Sequence, residues 1–206
     1  MVRKTREEAL LTRAQILDAA ECVFHEKGLA TTSMLDIAQH AGLSRGAIYW
    51  HFKDKAGLVQ ALLDSLDEPI DHLLAASADT RRDNPLGCLR TLLVALLQRV
   101  ASDARTQRIF EILLHKCELT VESCDLRAQR CARQREAQRK LEGLLEEARL
   151  KGQLAPGTPL PLAASSLIAC VEGTISHWLL NPDSYALKVE APRLADAMLR
   201  LLAPAT

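Results

Sequence analysis

Thr-Ser-Met-Leu-Asp-Ile-Ala-Gln-His-Ala-Gly-Leu-Ser-Arg-Gly-Ala-Ile-Tyr-Trp-His-Phe-Lys-Asp-Lys, residues 32–55, decides how this chain is read. It reads as two short helices joined by a tight turn, a helix-turn-helix, which is a device for placing its second helix in the DNA major groove. Ser33 and Asp36 stand at capping-box spacing, so a helix begins at or beside Thr32–Ser33. Ile37, Ala38 and Ala41 give that helix an apolar inner stripe, and Gly42 can take the positive φ that ends it. Leu43 plugs the turn and Ser44 caps the next helix. Ile48 and Phe52, one turn apart, then point inward, while Arg45 and Tyr49 share another face left for solvent or a partner.

The residues on that open face match DNA chemistry. Arg45 and Tyr49 are the expected groove-side contacts, and Gly46 leaves room for a close backbone approach. Thr32, Ser33, Tyr49, Trp50, His51, Lys53 and Lys55 are expected mainly to hold phosphates, with Asp54 capping a further helix. A plain helical hairpin would have to bury the Tyr49-Trp50-His51 run, which needs several internal hydrogen-bond partners that few cores offer. The stretch resembles the DNA-binding domain of TetR-family repressors over residues 8–60. The likeness rests on Thr31-Thr32, Ile37-Ala38, Ala41-Gly42, Gly46, Tyr49-Trp50-His51-Phe52, Lys53 and Lys55.

The chain has 206 residues, 48% of them hydrophobic, enough for one ordinary domain or a small head on a larger body. No apolar run is long enough to span a bilayer and residues 1–25 are charged, so a cytoplasmic location is expected. Formal net charge is +0, unusual for a DNA binder. Charge is unevenly placed, however: Arg3, Lys4 and Arg6 precede the first helix, and Arg45, His51, Lys53 and Lys55 cluster around the second helix of the motif. Six cysteines, at 22, 88, 117, 124, 131 and 170, form no Cys-x-x-Cys pair and have no zinc-finger histidine spacing. Reduced, mostly buried thiols are the expectation, and no metal or cofactor is called for. Cys117, Cys124 and Cys131 fall seven apart and would share a face only if Glu118-Leu119-Thr120 did not interrupt the helix.

Periodicity and breakers divide the chain into about nine helices without strand-like alternation, an all-α fold. The first runs from about Glu7 to Lys27, with Ile16, Ala20, Val23 and Phe24 inward and Gly28 as its stop. A long fourth helix from Asp54 carries Leu58, Leu62, Leu66, Ile70 and Leu73, with Pro69 expected to bend it. Ala75–Asp83 reads as a connection, and Asn84-Pro85 opens the fifth helix. The seventh, about 122–151, has a charged first half (Arg127, Arg130, Arg133, Arg135, Arg139, Lys140) that reads as a solvated face. The organisation expected is a three-helix DNA-binding head, residues 1–53, on a ligand-binding and dimerisation body, residues 54–206.

A three-helix DNA reader does not need such a body to bind DNA, so the body must dimerise, sense, or both. The eighth and ninth predicted helices are the homodimer candidates: Leu167, Val171, Ile175, Trp178 and Leu179 on one, Leu194, Met198 and Leu201 on the other. TetR-family resemblance implies the same use of the last two helices. Arg108-Ile-Phe-Glu-Ile-Leu-Leu-His-Lys-Cys-Glu118, Ala61–Leu66, Asn84–Cys88 and Trp178–Ser184 resemble the AcrR/TtgR branch, repressors of multidrug efflux pumps released by flat hydrophobic, often aromatic effectors. That resemblance implies a cavity lined by Leu66, Ile70, Leu89, Leu92, Leu93, Leu96, Phe110, Leu113, Leu114, Leu141, Ile168 and Val171, with His72 and Glu172 as polar contacts. Phe110 and Leu114 depart from it, being apolar where the branch has polar side chains, which implies fewer hydrogen-bonding effectors or a smaller cavity.

No Gly-rich phosphate loop, His-Glu-x-x-His or Gly-x-Ser-x-Gly is present, so an enzyme is not expected. A repressor of a metabolic operon and a cysteine-based redox regulator stay open, because the head reads DNA whatever the body senses.

Overall fold

The computed structural model describes residues 6–76, 78–117, 124–200 and 202, giving only the backbone of 67–71, 73–74, 78–80 and 124–126. Among the described residues there are ten α-helices and no strand: α1 (Arg6–Lys27), α2 (Met34–His40), α3 (Arg45–His51), α4 (Lys55–Ala76), α5 (Ala78–Asp83), α6 (Pro85–Ser102), α7 (Ala104–His115), α8 (Cys124–Leu150), α9 (Leu160–Leu180) and α10 (Leu187–Arg200). A 3-10 turn, Pro182–Ser184, joins the last two. The helix beyond the expected nine is α5, in the stretch taken for a connection. Its sequence Ala-Asp-Thr-Arg-Arg-Asp has no apolar stripe to betray a helix, and Arg81 fastens it to α8 through Glu147 at 2.5 and 2.8 Å. α4 continues through Pro69 to Ala76.

The chain forms two compact units. The first comprises Met1–Leu66 and Arg108–Gln129, the second Asp67–Gln107 and Arg130–Thr206. The expected boundary at 53/54 marks the end of the helix-turn-helix; the first unit goes on through the opening turns of α4 and takes in the second half of α7. Ile16, Ala20, Val23 and Phe24 of α1 pack with Ile37, Ile48, Leu58 and Leu62, and Ile109, Ile112 and Leu113 of α7 belong to the same core. Each such valine, leucine, isoleucine or phenylalanine side chain contributes about 1.5–3 kcal/mol through its burial. The segment 108–118, singled out above for a family likeness, therefore owes its apolar spacing to packing in this unit as far as Cys117.

In the second unit α6 packs along α10, and both meet α9. Leu89, Leu93, Leu145, Ala164, Leu167, Met198 and Leu199 form its core, and Arg90 on α6 grips Asp196 on α10 at 2.5 and 3.0 Å. This corrects the expected dimer stripe. Leu167, Ile175, Trp178, Leu179 and Met198 are buried within the single chain, and Val171 and Leu194 are half-buried. Leu201 lies outside the described residues. An internal stripe and an intersubunit stripe carry the same apolar signature, and here the internal packing has claimed it. What α9 leaves outward is another, mixed face: Pro161, Leu162, Ser165, Ser166, Ala169, Glu172, Gly173, His177 and Leu180.

The thiols also differ from expectation. Cys88 is buried, Cys22, Cys117 and Cys170 are half-buried, and Cys131 is exposed on α8. Cys117 follows the end of α7, so it does not share a helix with Cys131. The side chain of Cys124 lies outside the described residues. No helix among the described residues is long and apolar enough to cross a membrane, and no cluster there could hold a metal ion.

Candidate nucleic-acid interface

Local chemistry builds the helix-turn-helix as its sequence dictates. Ser33 is extended (φ −104°, ψ 159°), and its hydroxyl accepts the Asp36 N–H at 3.1 Å. Asp36 returns the favour, accepting the Ser33 N–H at 2.8 Å, which completes the capping box. Lys27 donates to the same carboxylate at 2.7 Å, and this bond, with those from Ser33, holds the Asp36 carboxyl far below the usual carboxylate range. α2 ends at Gly42, φ +65°, where the Gly42 N–H bonds Gln39 and the Leu43 N–H reaches back to Ala38 at 2.9 Å. That is a Schellman ending, which needs the left-handed residue glycine supplies. Ser44 then caps α3, accepting the Ala47 N–H at 3.2 Å.

α3 turns one side inward and leaves the other open. Ile48 is fully buried, and Phe52 just beyond the helix is nearly so. Arg45, Gly46, Tyr49 and Trp50 occupy the open arc, Trp50 at 72% exposure. An apolar ring that exposed is not core, which removes the plain-hairpin alternative. The Arg45 guanidinium lies 5.5 Å from the centre of the Tyr49 ring, a cation–π stack that pre-sets it along the helix. Trp50 and His51 meet edge to face at 4.4 Å. A methyl added at Gly46 would meet only the Ser44 hydroxyl, at 3.9 Å, so nothing in the chain itself requires a glycine there.

The remaining expected DNA residues are placed less uniformly. Lys53 is exposed. Thr32 is buried, its hydroxyl donating to the Gly28 carbonyl at 2.7 Å. Lys55 donates to the Leu29 and Ala30 carbonyls at 2.8 and 3.3 Å, and burial lowers its pKa. Asp54 caps α4 through the Gly57 N–H at 2.9 Å, as its position suggested. Two residues of α1 that the motif did not flag also brace it. Gln15 donates to the Ala41 carbonyl at 2.8 Å, holding the turn between α2 and α3, and Arg13 stacks on Phe52 at 5.0 Å. Both lie far upstream in sequence, where no local signal could reveal them.

The expected effector-lining residues are shared between the units. Leu66 and Leu113 sit in the first core, with Phe110 and Leu114 half-buried beside or near it. Leu89 and Leu93 sit in the second, Leu92 packs with Cys88 and Leu144, and Leu141 and Val171 lie half-buried against that core. Leu96 and Ile168 are half-buried, Glu172 and His72 are exposed, and the Ile70 side chain lies outside the described residues.

Comparison with known proteins agrees with this geometry. Residues 16–62 match the family model of bacterial regulatory proteins, tetR family, and residues 84–204 match the C-terminal region of MAATS-type transcriptional repressors. The chain is 47% identical over 202 residues to the HTH-type transcriptional regulator TtgR of Pseudomonas putida, covering 98% of this chain and 96% of that one. The crystal structure of NalD, secondary repressor of the MexAB-OprM multidrug efflux pump in Pseudomonas aeruginosa, superposes with a TM-score of 0.84 at 31% identity, over 96% of this chain and 98% of its own. SmeT, the Stenotrophomonas maltophilia repressor of the SmeDEF efflux pump, solved with triclosan, gives a TM-score of 0.82 at 32% identity over 95% and 96% of the two chains. With an exposed, capped recognition helix and family matches over both its ends, the chain belongs to the TetR family of helix-turn-helix transcriptional regulators, with a MAATS-type repressor C-terminal region.

Proposed function

We propose that the chain is a homodimeric repressor of a multidrug efflux operon, released from its operator by small hydrophobic or aromatic molecules. The observation that carries this is near-full-length likeness, above 30% identity, to NalD and SmeT, both efflux-pump repressors. The SmeT–triclosan complex supports the effector class. Residues 1–53 act as the DNA reader: Arg45 and Tyr49 contact base edges, Gly46 admits the groove wall, and Ser33, Ser44, Trp50, His51 and Lys53 hold phosphates. The outward face of α9, where Ser166, Ala169 and Gly173 leave room for a close helix approach, supports dimerisation through α9 and α10. Within the second unit, Leu92, Leu96, Leu141, Ile168 and Val171 are the proposed apolar wall of the effector site, with Glu172 its polar contact.

A two-fold dimer fits adjacent major grooves only when its recognition helices stand about 34–36 Å apart. An effector that favours another spacing releases the operator, by a coupling of about 1–3 kcal/mol. The direct test is a reporter fused to the promoter of the efflux genes nearest this chain's own gene. Expression of the chain lowers the reporter and triclosan restores it; a reporter indifferent to the chain refutes the efflux assignment and leaves the family standing.

A further inference from the structure

α7 begins in the second compact unit and enters the first between Gln107 and Arg108. Arg108, its first residue there, at once takes hold of α1: its guanidinium Nε donates to the Glu21 carboxylate at 2.6 Å. Glu21 is 2% exposed, the one buried charged side chain among the described residues. One turn further along both helices the His25 ring meets the Glu111 carboxylate, and just past α7 the Lys116 ammonium bonds the His25 carbonyl. The contacts fall in the same order on the two helices, so α1 and α7 run side by side in one direction. A slide of α7 by one turn either way takes Arg108 from Glu21, and one way it sets the Glu111 carboxylate against Glu21 instead.

Stability alone does not account for this pair. Taking the Glu21 carboxylate from water costs about what the arginine returns, and two well-packed apolar side chains of like volume hold a fold as well or better. The neighbouring side chains are of that kind: Ile109, Ile112 and Leu113 of α7 share a core with Ala20 and Phe24 of α1. Toward its N-terminus the same α1 braces the helix-turn-helix. Gln15 donates to the Ala41 carbonyl at 2.8 Å in the turn before α3, and Arg13 stacks on Phe52 just after α3. Only six residues of continuous helix separate Gln15 from Glu21.

We infer that Glu21 and Arg108 are positioning residues for effector release. The pair clamps α7 to α1 where α7 enters the first unit, so a movement of α7 started by an effector in the second unit turns α1 and, through Gln15 and Arg13, the recognition helix. The inference rests on the reading of the chain as an effector-released repressor. Both residues act through α1, not by touching DNA or effector.

The test is a ratio of two dissociation constants for the DNA upstream of the chain's own gene, at saturating triclosan and without it. Both are read by fluorescence anisotropy on the full chain, beside thermal melting. Saturation makes the ratio independent of how tightly triclosan itself binds, and wild type gives about 5–150. Glu21→Met/Arg108→Met removes both charges and leaves no buried carboxylate unpaired. It melts near wild type, binds the DNA without triclosan as wild type does, and brings the ratio to within about twofold of one. Arg90→Met/Asp196→Met breaks the pair between α6 and α10 in the second unit and leaves the ratio alone. Should Glu21→Met/Arg108→Met fail to fold, Glu21→Gln/Arg108→Gln is read in the same way. A Glu21→Met/Arg108→Met chain that keeps the wild-type ratio, whatever its melting temperature, would show a structural staple only and overturn the inference. So would equal falls in both double variants. A wild type bound to its upstream DNA yet indifferent to triclosan would instead overturn the effector reading on which the inference stands.

Discussion

α3 and α9 each carry a glycine that nothing in the chain crowds, and the two helices otherwise expose opposite chemistry. A Cβ on Gly46 would meet only the Ser44 hydroxyl at 3.9 Å, and one on Gly173 would meet nothing within 4 Å. Neither glycine takes a positive φ. Inside a helix, glycine costs about 1 kcal/mol against alanine. Gly143 of α8 also meets nothing within 4 Å, so three helices carry a glycine whose cost the folded chain does not explain. Around Gly46 stand Arg45, Tyr49 and Trp50, a charged and aromatic rim suited to bases and phosphates. Around Gly173 stand Ala169, Ser166 and Leu180, with exposed Glu172 and His177 beside them, a face with small side chains on one turn and titratable ones at its edge. The contrast teaches that the outward faces, not the cores, tell the proposed DNA-reading surface from the proposed self-associating one.

Substitutions at these positions break or sharpen the contrast. The largest expected effect is from Gly173→Leu. On the proposed reading it overfills a two-fold contact, and sedimentation analysis shows dimerisation weakened by about a hundredfold or more, with monomer helicity kept. An unchanged dimer at the same concentration removes α9 from the interface. Arg45→Ala comes next: discrimination between operator and a variant altered at one base pair falls by about 1–3 kcal/mol, while random DNA binds nearly as before. Equal losses on both make Arg45 a phosphate contact. Gly46→Ala raises or keeps the melting temperature, since alanine is the better helix former, yet weakens operator binding about tenfold. Loss of stability without loss of binding would reverse the account of this position.

The smallest effect is Asp36→Asn, which weakens the capping box and the Lys27 pair. The Asp36 carboxyl is held below its ordinary value of 3.8 by Lys27 and Ser33. Its contribution is therefore complete above that value and is lost as pH falls through the lower folded-state value. The melting-temperature gap between wild type and variant is present at pH 7 and narrows below about pH 3.8.

The same contrast explains what the sequence could be made to say. Caps are local: Ser33 with Asp36, Ser44, Asp54 and Asn84 each act within three residues, and all stand where their spacing placed them. Gly42 likewise announced its own positive φ. Partners distant in sequence left no mark. The Lys55 ammonium was visible in the sequence, and the Leu29 carbonyl it bonds, 26 residues away, was not. Leu167, Trp178 and Met198 advertised an apolar face but not which surface would cover it. Short, charged α5 gave no periodicity at all. The exposed Arg45–Tyr49–Trp50 arc was legible because its residue types are unusual for a surface, whereas a leucine lining a proposed effector cavity and a leucine in a core are chemically the same.

The central claim, specific DNA binding relieved by a hydrophobic effector, is tested most directly by fluorescence anisotropy. The full chain is titrated onto the DNA upstream of its own gene and onto a random duplex at one fixed salt, with and without triclosan. The account predicts tighter binding to the upstream DNA and its loss on adding triclosan, with binding to random DNA changed far less. Equal affinity for both duplexes, untouched by triclosan, contradicts it.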